Sequence, residues 1–176
     1  GINSFYQVNP QTTAVLYTKA AELAGLKSNQ LVIDAYSGIG TIGLSIARQV
    51  RKVIGVEVVV PAVEDAKKNM LANRVENAEY IAADAAEQFI KWADAGVKPD
   101  VVFVDPPRKG LTSDLIQSLG VMAPLKFVYI SCNPATLARD AVLIKEQGYR
   151  ISKAVLPIDQ FPQTMHVESI TVFEKE

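Results

Sequence analysis

Leu31-Val32-Ile33-Asp34-Ala35, running into Tyr36-Ser37-Gly38-Ile39-Gly40-Thr41-Ile42-Gly43, is the stretch that decides the fold. An apolar run of strand length meets a glycine turn, and the turn opens a helical pattern that continues to about Arg48. Strand, turn and helix in that order form one unit of an α/β sheet. Ahead of it, residues 12–24 read as a helix with Ala14, Leu16, Tyr17, Ala20 and Ala21 on one face and Gly25 past its end. Beyond it, strands are predicted over 52–57, 79–82, 100–104 and 126–130, alternating with helices over 61–73, 85–95, 112–119 and 134–147. Pro61 suits a first helical turn and Gly148 a helix end. The run 100–104 is nearly all apolar, as a strand buried on both faces must be. Two extended runs, 151–156 and 167–173, close the chain with no helix between them. The expected architecture is α/β: a Rossmann-like, mostly parallel sheet with a terminal antiparallel strand near one edge.

With 176 residues, the chain is expected to form one domain, 1–176, with a sizeable core. Its single cysteine excludes an intrachain disulfide and any cysteine-ligated metal cluster within the chain, so no metal is expected. That usage suits a reducing cytoplasm, and no apolar run reaches membrane-spanning length. Lys+Arg at 18 and Asp+Glu at 19 give a formal net charge of −1. Nucleic-acid affinity comes largely from phosphate neutralisation, so either the partner is not nucleic acid or another segment supplies most of the grip. The start at Gly1, without an initiator Met, reads as that of an excised fragment of a longer protein.

Gly38-Ile39-Gly40-Thr41-Ile42-Gly43 satisfies G-x-G-x-x-G between a strand and a helix, and Glu57 ends the next strand about twenty residues on, where a carboxylate can take two ribose hydroxyls. Three readings are open: a nicotinamide dinucleotide in an oxidoreductase, S-adenosylmethionine, or a tight turn with no ligand. Asp34 favours S-adenosylmethionine, because a carboxylate at that strand end would repel a diphosphate. Asp84, after the third strand, fits a polar contact to adenine, an N-cap for the helix that follows, or both.

At the other half of the sheet stands Asp105-Pro106-Pro107-Arg108-Lys109-Gly110. Two prolines make this loop stiff and extended, and its carbonyls are expected to remain free for a ligand. Amine methyltransferases carry an aromatic where Arg108 stands, which argues against amine methylation. The run Lys126-Phe127-Val128-Tyr129-Ile130 leads into Ser131-Cys132-Asn133-Pro134 and places the lone thiol at a strand's carboxyl end. A helix N-terminus beside it is expected to lower the pKa of Cys132 and suit it as a nucleophile. The alternative is a small buried hydrophobe.

Phe5-Tyr6-Gln7-Val8-Asn9, the glycine turn, Asp105 to Gly110, Ser131-Cys132-Asn133-Pro134-Ala135-Thr136-Leu137-Ala138-Arg139-Asp140 and His166-Val167-Glu168-Ser169 occur in the order seen in the RNA uracil-5 methyltransferases. Over nearly its whole length the chain resembles the catalytic domain of a 23S ribosomal RNA or transfer RNA (uracil-5-)-methyltransferase of the class I, S-adenosylmethionine-dependent type. The resemblance implies methyl transfer to carbon 5 of an RNA uridine, in ribosomal RNA first and transfer RNA as the alternative, with S-adenosylhomocysteine as product. It implies Cys132 as nucleophile toward carbon 6 and Glu168 as base. Gln7, Tyr36, Gly38, Gly40, Glu57, Asp84 and Asp105 would line the cofactor site. Thr41 joins them, although some relatives have a different polar residue there; Tyr36 replaces a commoner Phe. Family members usually carry an N-terminal RNA-binding barrel, which would supply the missing grip, and a monomer is expected. His166 reads as structural, and Phe5 as packed against the target base or in the core.

Overall fold

The computed structural model describes residues 10–155 and 168–176, with side chains from residue 15 onward. Seven strands form one sheet: β1 (Leu31–Ala35), β2 (Lys52–Glu57), β3 (Ala78–Ala82), β4 (Val101–Val104), β5 (Lys126–Ser131), β6 (Tyr149–Val155) and β7 (Ser169–Lys175). The helices are α1 (Pro10–Ala24), α2 (Thr41–Ile46), α3 (Val60–Ala72), α4 (Ala85–Asp94), α5 (Ser113–Met122) and α6 (Pro134–Glu146). Strand order is β3-β2-β1-β4-β5-β7-β6. β1 to β5 pair in parallel, while β7 runs antiparallel to both β5 and β6. The sheet is therefore the mostly parallel Rossmann-like one expected. Order reverses between β1 and β4, and that switch point opens a crevice at the strands' carboxyl ends.

Alternation along each central strand sends neighbours to opposite faces, which explains the double-sided burial. Ile33, Ala35, Val102, Val104, Phe127 and Tyr129 join Phe89, Trp92, Leu115, Leu119 and Ile144 of α4, α5 and α6 on one face. Val32, Val53, Val101, Phe103, Val128 and Ile130 join Leu16, Ala20 and Ala24 of α1 and Ile42 and Ile46 of α2 on the other.

Differences from the expected boundaries have local causes. Past Ile46, the helix after the glycine turn tightens into a 3-10 turn, Ala47–Gln49. α5 runs through Gly120 to Met122, because burial of Met122 against the core carries the helix past the glycine. The inward stripe of α1 is Leu16, Ala20 and Ala24, with Tyr17 and Ala21 only half-buried. Glu168 stands immediately before β7 rather than on it. Among the described residues, no helix is long and apolar enough to cross a membrane.

Candidate active site

The turn after β1 is shaped by left-handed backbone at Tyr36 (φ 61°), Gly38 (φ 57°) and Gly40 (φ 89°). Glu57, buried at the end of β2, clamps it: Oε1 accepts from the Gly38 amide at 2.9 Å and Oε2 from the Val59 amide at 3.0 Å. The glycines divide into two kinds. A Cβ on Gly38 would meet nothing within 4 Å, so this residue faces open space. A Cβ on Gly40 or Gly43 would lie 2.9 Å from the Tyr80 hydroxyl, and one on Gly55 would lie 2.5 Å from the ring. Those three glycines make room for the Tyr80 side chain.

Asp34 does not face the ligand side as expected. It is 1% exposed and accepts from the Gly43 amide at 3.3 Å, so it lies beneath the start of α2. Burial, then the charge of Asp105, push its carboxyl up to about 7. Its position therefore lends no support to a choice between sulfonium and diphosphate. Asp84 is exposed and caps α4, accepting from the Glu87 amide at 3.0 Å. Thr41 is exposed at the first position of α2, and Tyr36 is half-buried beside the turn. Gln7, Phe5 and His166 lie outside the described residues.

Across the switch point, the loop after β4 is held to α6 by side chains. Asp140 is fully buried; Oδ2 accepts from the Leu111 amide at 2.8 Å and from the Tyr129 hydroxyl at 2.7 Å. Its Oδ1 accepts from the Arg139 guanidinium at 2.9 Å, and Arg139 also donates to the carbonyls of Lys109 and Leu111 at 2.7 and 3.2 Å. Asn133 caps α6 through the Ala135 amide while its Nδ2 donates to the Arg108 carbonyl at 3.1 Å. Gly110 is needed at the centre of this clasp, with φ 77° and a Cβ position 2.6 Å from Asp140 Oδ2. Three carbonyls of the loop expected to stay free are occupied: Pro107 accepts from the Gly110 amide at 2.8 Å, and Arg108 and Lys109 accept from the side chains just named. Sequence reading missed Asp140 and Arg139 as supports. The available signal was an acid four residues before Ile144, on the inward stripe of α6, where an unpaired carboxylate could not stay buried.

The β5–β7 register then brings the two ends of the constellation together. Ser131 pairs with Ser169, so the next pair outward is Cys132 opposite Glu168. Asp105 is the third member; its Oδ2 accepts from the Tyr17 hydroxyl of α1 at 2.8 Å. Burial pushes Asp105 up to about 7, with Glu168 adding to the rise and the Tyr17 hydrogen bond opposing it. Burial raises Glu168 as well. The expected lowering of the Cys132 pKa is not found. Burial raises the half-buried thiol, the negative charges of Glu168 and Asp105 raise it further, and the exposed Arg108 acts the other way. Burial first, and then the two acids, set the direction at this sulfur. Among the described residues, no group of three or more His, Cys, Asp or Glu could hold a metal ion.

The family model for tRNA (uracil-5-)-methyltransferases matches residues 2–176. The chain belongs to this family. A relative from Lactiplantibacillus plantarum named an uncharacterized RNA methyltransferase is 55% identical over 173 residues, covering 98% of this chain and 38% of the relative. The chain thus spans under two fifths of the length of that curated relative. The structure of the Pyrococcus abyssi tRNA (uracil-54, C5)-methyltransferase in complex with S-adenosyl-L-homocysteine matches with a TM-score of 0.79 and 36% identity, over 96% of this chain and 39% of that one. The magnesium protoporphyrin IX methyltransferase of Synechocystis, with bound SAM, matches at 17% identity and a TM-score of 0.68 over 94% of this chain and 79% of its own, and shows the shared fold alone.

Proposed function

We propose that this family member methylates carbon 5 of a uridine in RNA, in the cytoplasm, with Cys132 as nucleophile and Glu168 as base. The observation that carries the reading is the strand register that sets Cys132 opposite Glu168 at the open end of the sheet. The residues present fit S-adenosylmethionine: Gly38 faces open space, and Glu57 is fixed by two amides while each oxygen keeps a lone pair for a ribose hydroxyl. Glu57, Gly38, Gly40, Tyr36, Thr41, Asp84, Asp105 and Gln7 would hold it, and it would supply an electrophilic methyl group.

Carbon 5 of uracil is a poor nucleophile, and addition at carbon 6 corrects that. As sulfur bonds to carbon 6, the Cys132 proton passes to solvent and the displaced electron pair spreads through carbon 5 onto oxygen 4. Carbon 5 can then take the methyl group. Glu168 removes the carbon 5 proton, that electron pair restores the ring double bond, and the carbon–sulfur bond breaks to return the thiolate. Burial and the neighbouring acids favour the protonated thiol, so addition to carbon 6 requires that proton to leave. The target must leave its stack to reach such a crevice.

Ribosomal RNA is the first substrate class and transfer RNA the second, the latter favoured by likeness to the Pyrococcus abyssi enzyme. Mass mapping of 5-methyluridine in each RNA from cells lacking the gene decides between them. With a net charge of −1, this domain alone is expected to bind RNA weakly, and more weakly with added salt. A denaturing gel with labelled RNA tests the chemistry. Glu168→Gln should accumulate a methylated protein–RNA adduct, since elimination waits on the carbon 5 proton. Cys132→Ala should form neither adduct nor product; 5-methyluridine made by that variant would show the thiol to be structural.

A further inference from the structure

The geometry points to Tyr17 as a positioning residue: from α1, its hydroxyl holds one oxygen of Asp105 and so fixes the orientation in which the other meets the bound reactants. This rests on the methyltransferase reading above and adds to it a residue from the first helix. The bond is 2.8 Å long and spans 88 residues of sequence, joining the first helix to the loop after β4. Among the described residues, it is the one hydrogen bond made by the Asp105 side chain.

The surroundings explain why one donor matters. Asp34 from β1, Glu168 from the edge of β7 and Cys132 from the end of β5 face Asp105, and none of them brings a positive charge. Tyr17 is the neutral donor in this acidic group. Its ring lies half-buried beside Leu16 and Ala20, so its direction is set by packing of α1 against the sheet. A carboxyl has two oxygens and a freely turning terminal torsion. Pinning Oδ2 leaves Oδ1 in one place, and the bond favours the ionised form against burial. Loss of the bond therefore frees the carboxyl to rotate and raises its pKa further.

The test is the carbon-13 titration of the Asp105 carboxyl, with its resonance identified by Asp105→Asn, together with the rate–pH profile of methyl transfer. Tyr17→Phe keeps the ring and removes the donor. A rise of about one unit would lower the carboxylate population about fivefold at pH 7 and leave it nearly unchanged at pH 9. The rate profile should move by the same amount and in the same direction, and Tyr17→Phe should add nothing in the Asp105→Asn background. Tyr17→3-fluorotyrosine, a stronger donor of nearly the same shape, should move the titration downward and serves if the phenylalanine variant is poorly folded. An Asp105 titration unmoved by either variant, or one that moves while the rate profile stays, overturns the assignment. If the unaltered protein makes no 5-methyluridine, the proposed reaction fails while the titration still decides whether Tyr17 holds Asp105.

Discussion

The two halves of the crevice are built by different means. On the β1–β2 side, carboxylates of the two strands take backbone amides within one βαβ unit: Glu57 from Gly38 in the turn after β1 and from Val59 just past its own strand, Asp34 from Gly43 in the first turn of α2. On the β4–β5 side, side chains from α6 reach across some 25 to 30 residues to hold the loop, through Asp140, Arg139 and Asn133. The first half is nearly self-shaped once its strands pair. The second depends on a distant helix having docked, so its geometry is conditional on tertiary structure.

The largest expected effect breaks the second half. Asp140→Ala leaves the Tyr129 hydroxyl and the Leu111 amide buried without their partner, while Arg139, half outside, regains water. We expect a loss of about 2–4 kcal/mol in denaturant unfolding, with faster hydrogen exchange concentrated in the loop after β4. An Asp140→Ala protein as stable as the parent would mean that the loop, like the turn, shapes itself.

Glu57→Ala is the matching change in the first half. The two freed amides border the crevice and can take water, so stability should fall by about 1 kcal/mol or less. Cofactor affinity, read by calorimetry, should drop about 10- to 100-fold as charge-assisted bonds to the ribose go. A stability loss equal to that of Asp140→Ala would erase the contrast between the halves.

The smallest effect concerns Asp34. Its carboxyl is raised from 3.8 to about 7 in the fold, so the fold favours the protonated form. Its contribution is fully present below the unfolded value and is lost as pH climbs through about 7. Melting temperature should therefore fall between about pH 4 and 7 and level off above, with Asp105 acting in the same direction. Asp34→Asn keeps an acceptor for Gly43 and removes the charge, and should flatten that fall by about 2–4 °C for each kcal/mol recovered. An unchanged slope would place the titration elsewhere.

The same contrast governs what could be read from the amino acids alone. Order and type of the seven strands and six α-helices were legible, because apolar strand runs and glycine or proline punctuation are local signals. The Glu57 position followed from spacing along a βα unit. Asp34 misled because alternation at a strand end decides which face a side chain takes, and one residue reverses the answer. The thiol pKa misled because the helix start is local to Cys132, whereas its burial comes from the packed fold, Glu168 arrives through the β5–β7 register and Asp105 comes from another strand. The clasp around Gly110 was invisible for the same reason: Arg139 and Asp140 gain their role only when α6 lies against the loop.

The ring of Tyr80, enclosed by Gly40, Gly43 and Gly55, has a consequence for divergence. Three positions on two strand–turn units answer to one side chain on β3, so they form a single heritable unit rather than four independent sites. Gly43 has an ordinary backbone, and its Cβ would meet the Tyr80 hydroxyl first. That hydroxyl has no hydrogen-bond partner among the described residues, so Tyr80→Phe gives up little and opens space beside Gly43. Alanine at 43 needs residue 80 to change and the Val53 side chain, 3.0 Å from that Cβ position, to shift as well, and the reverse order passes through a strained intermediate. Gly55, pressed by the ring itself, stays closed to such drift until residue 80 loses its aromatic ring altogether.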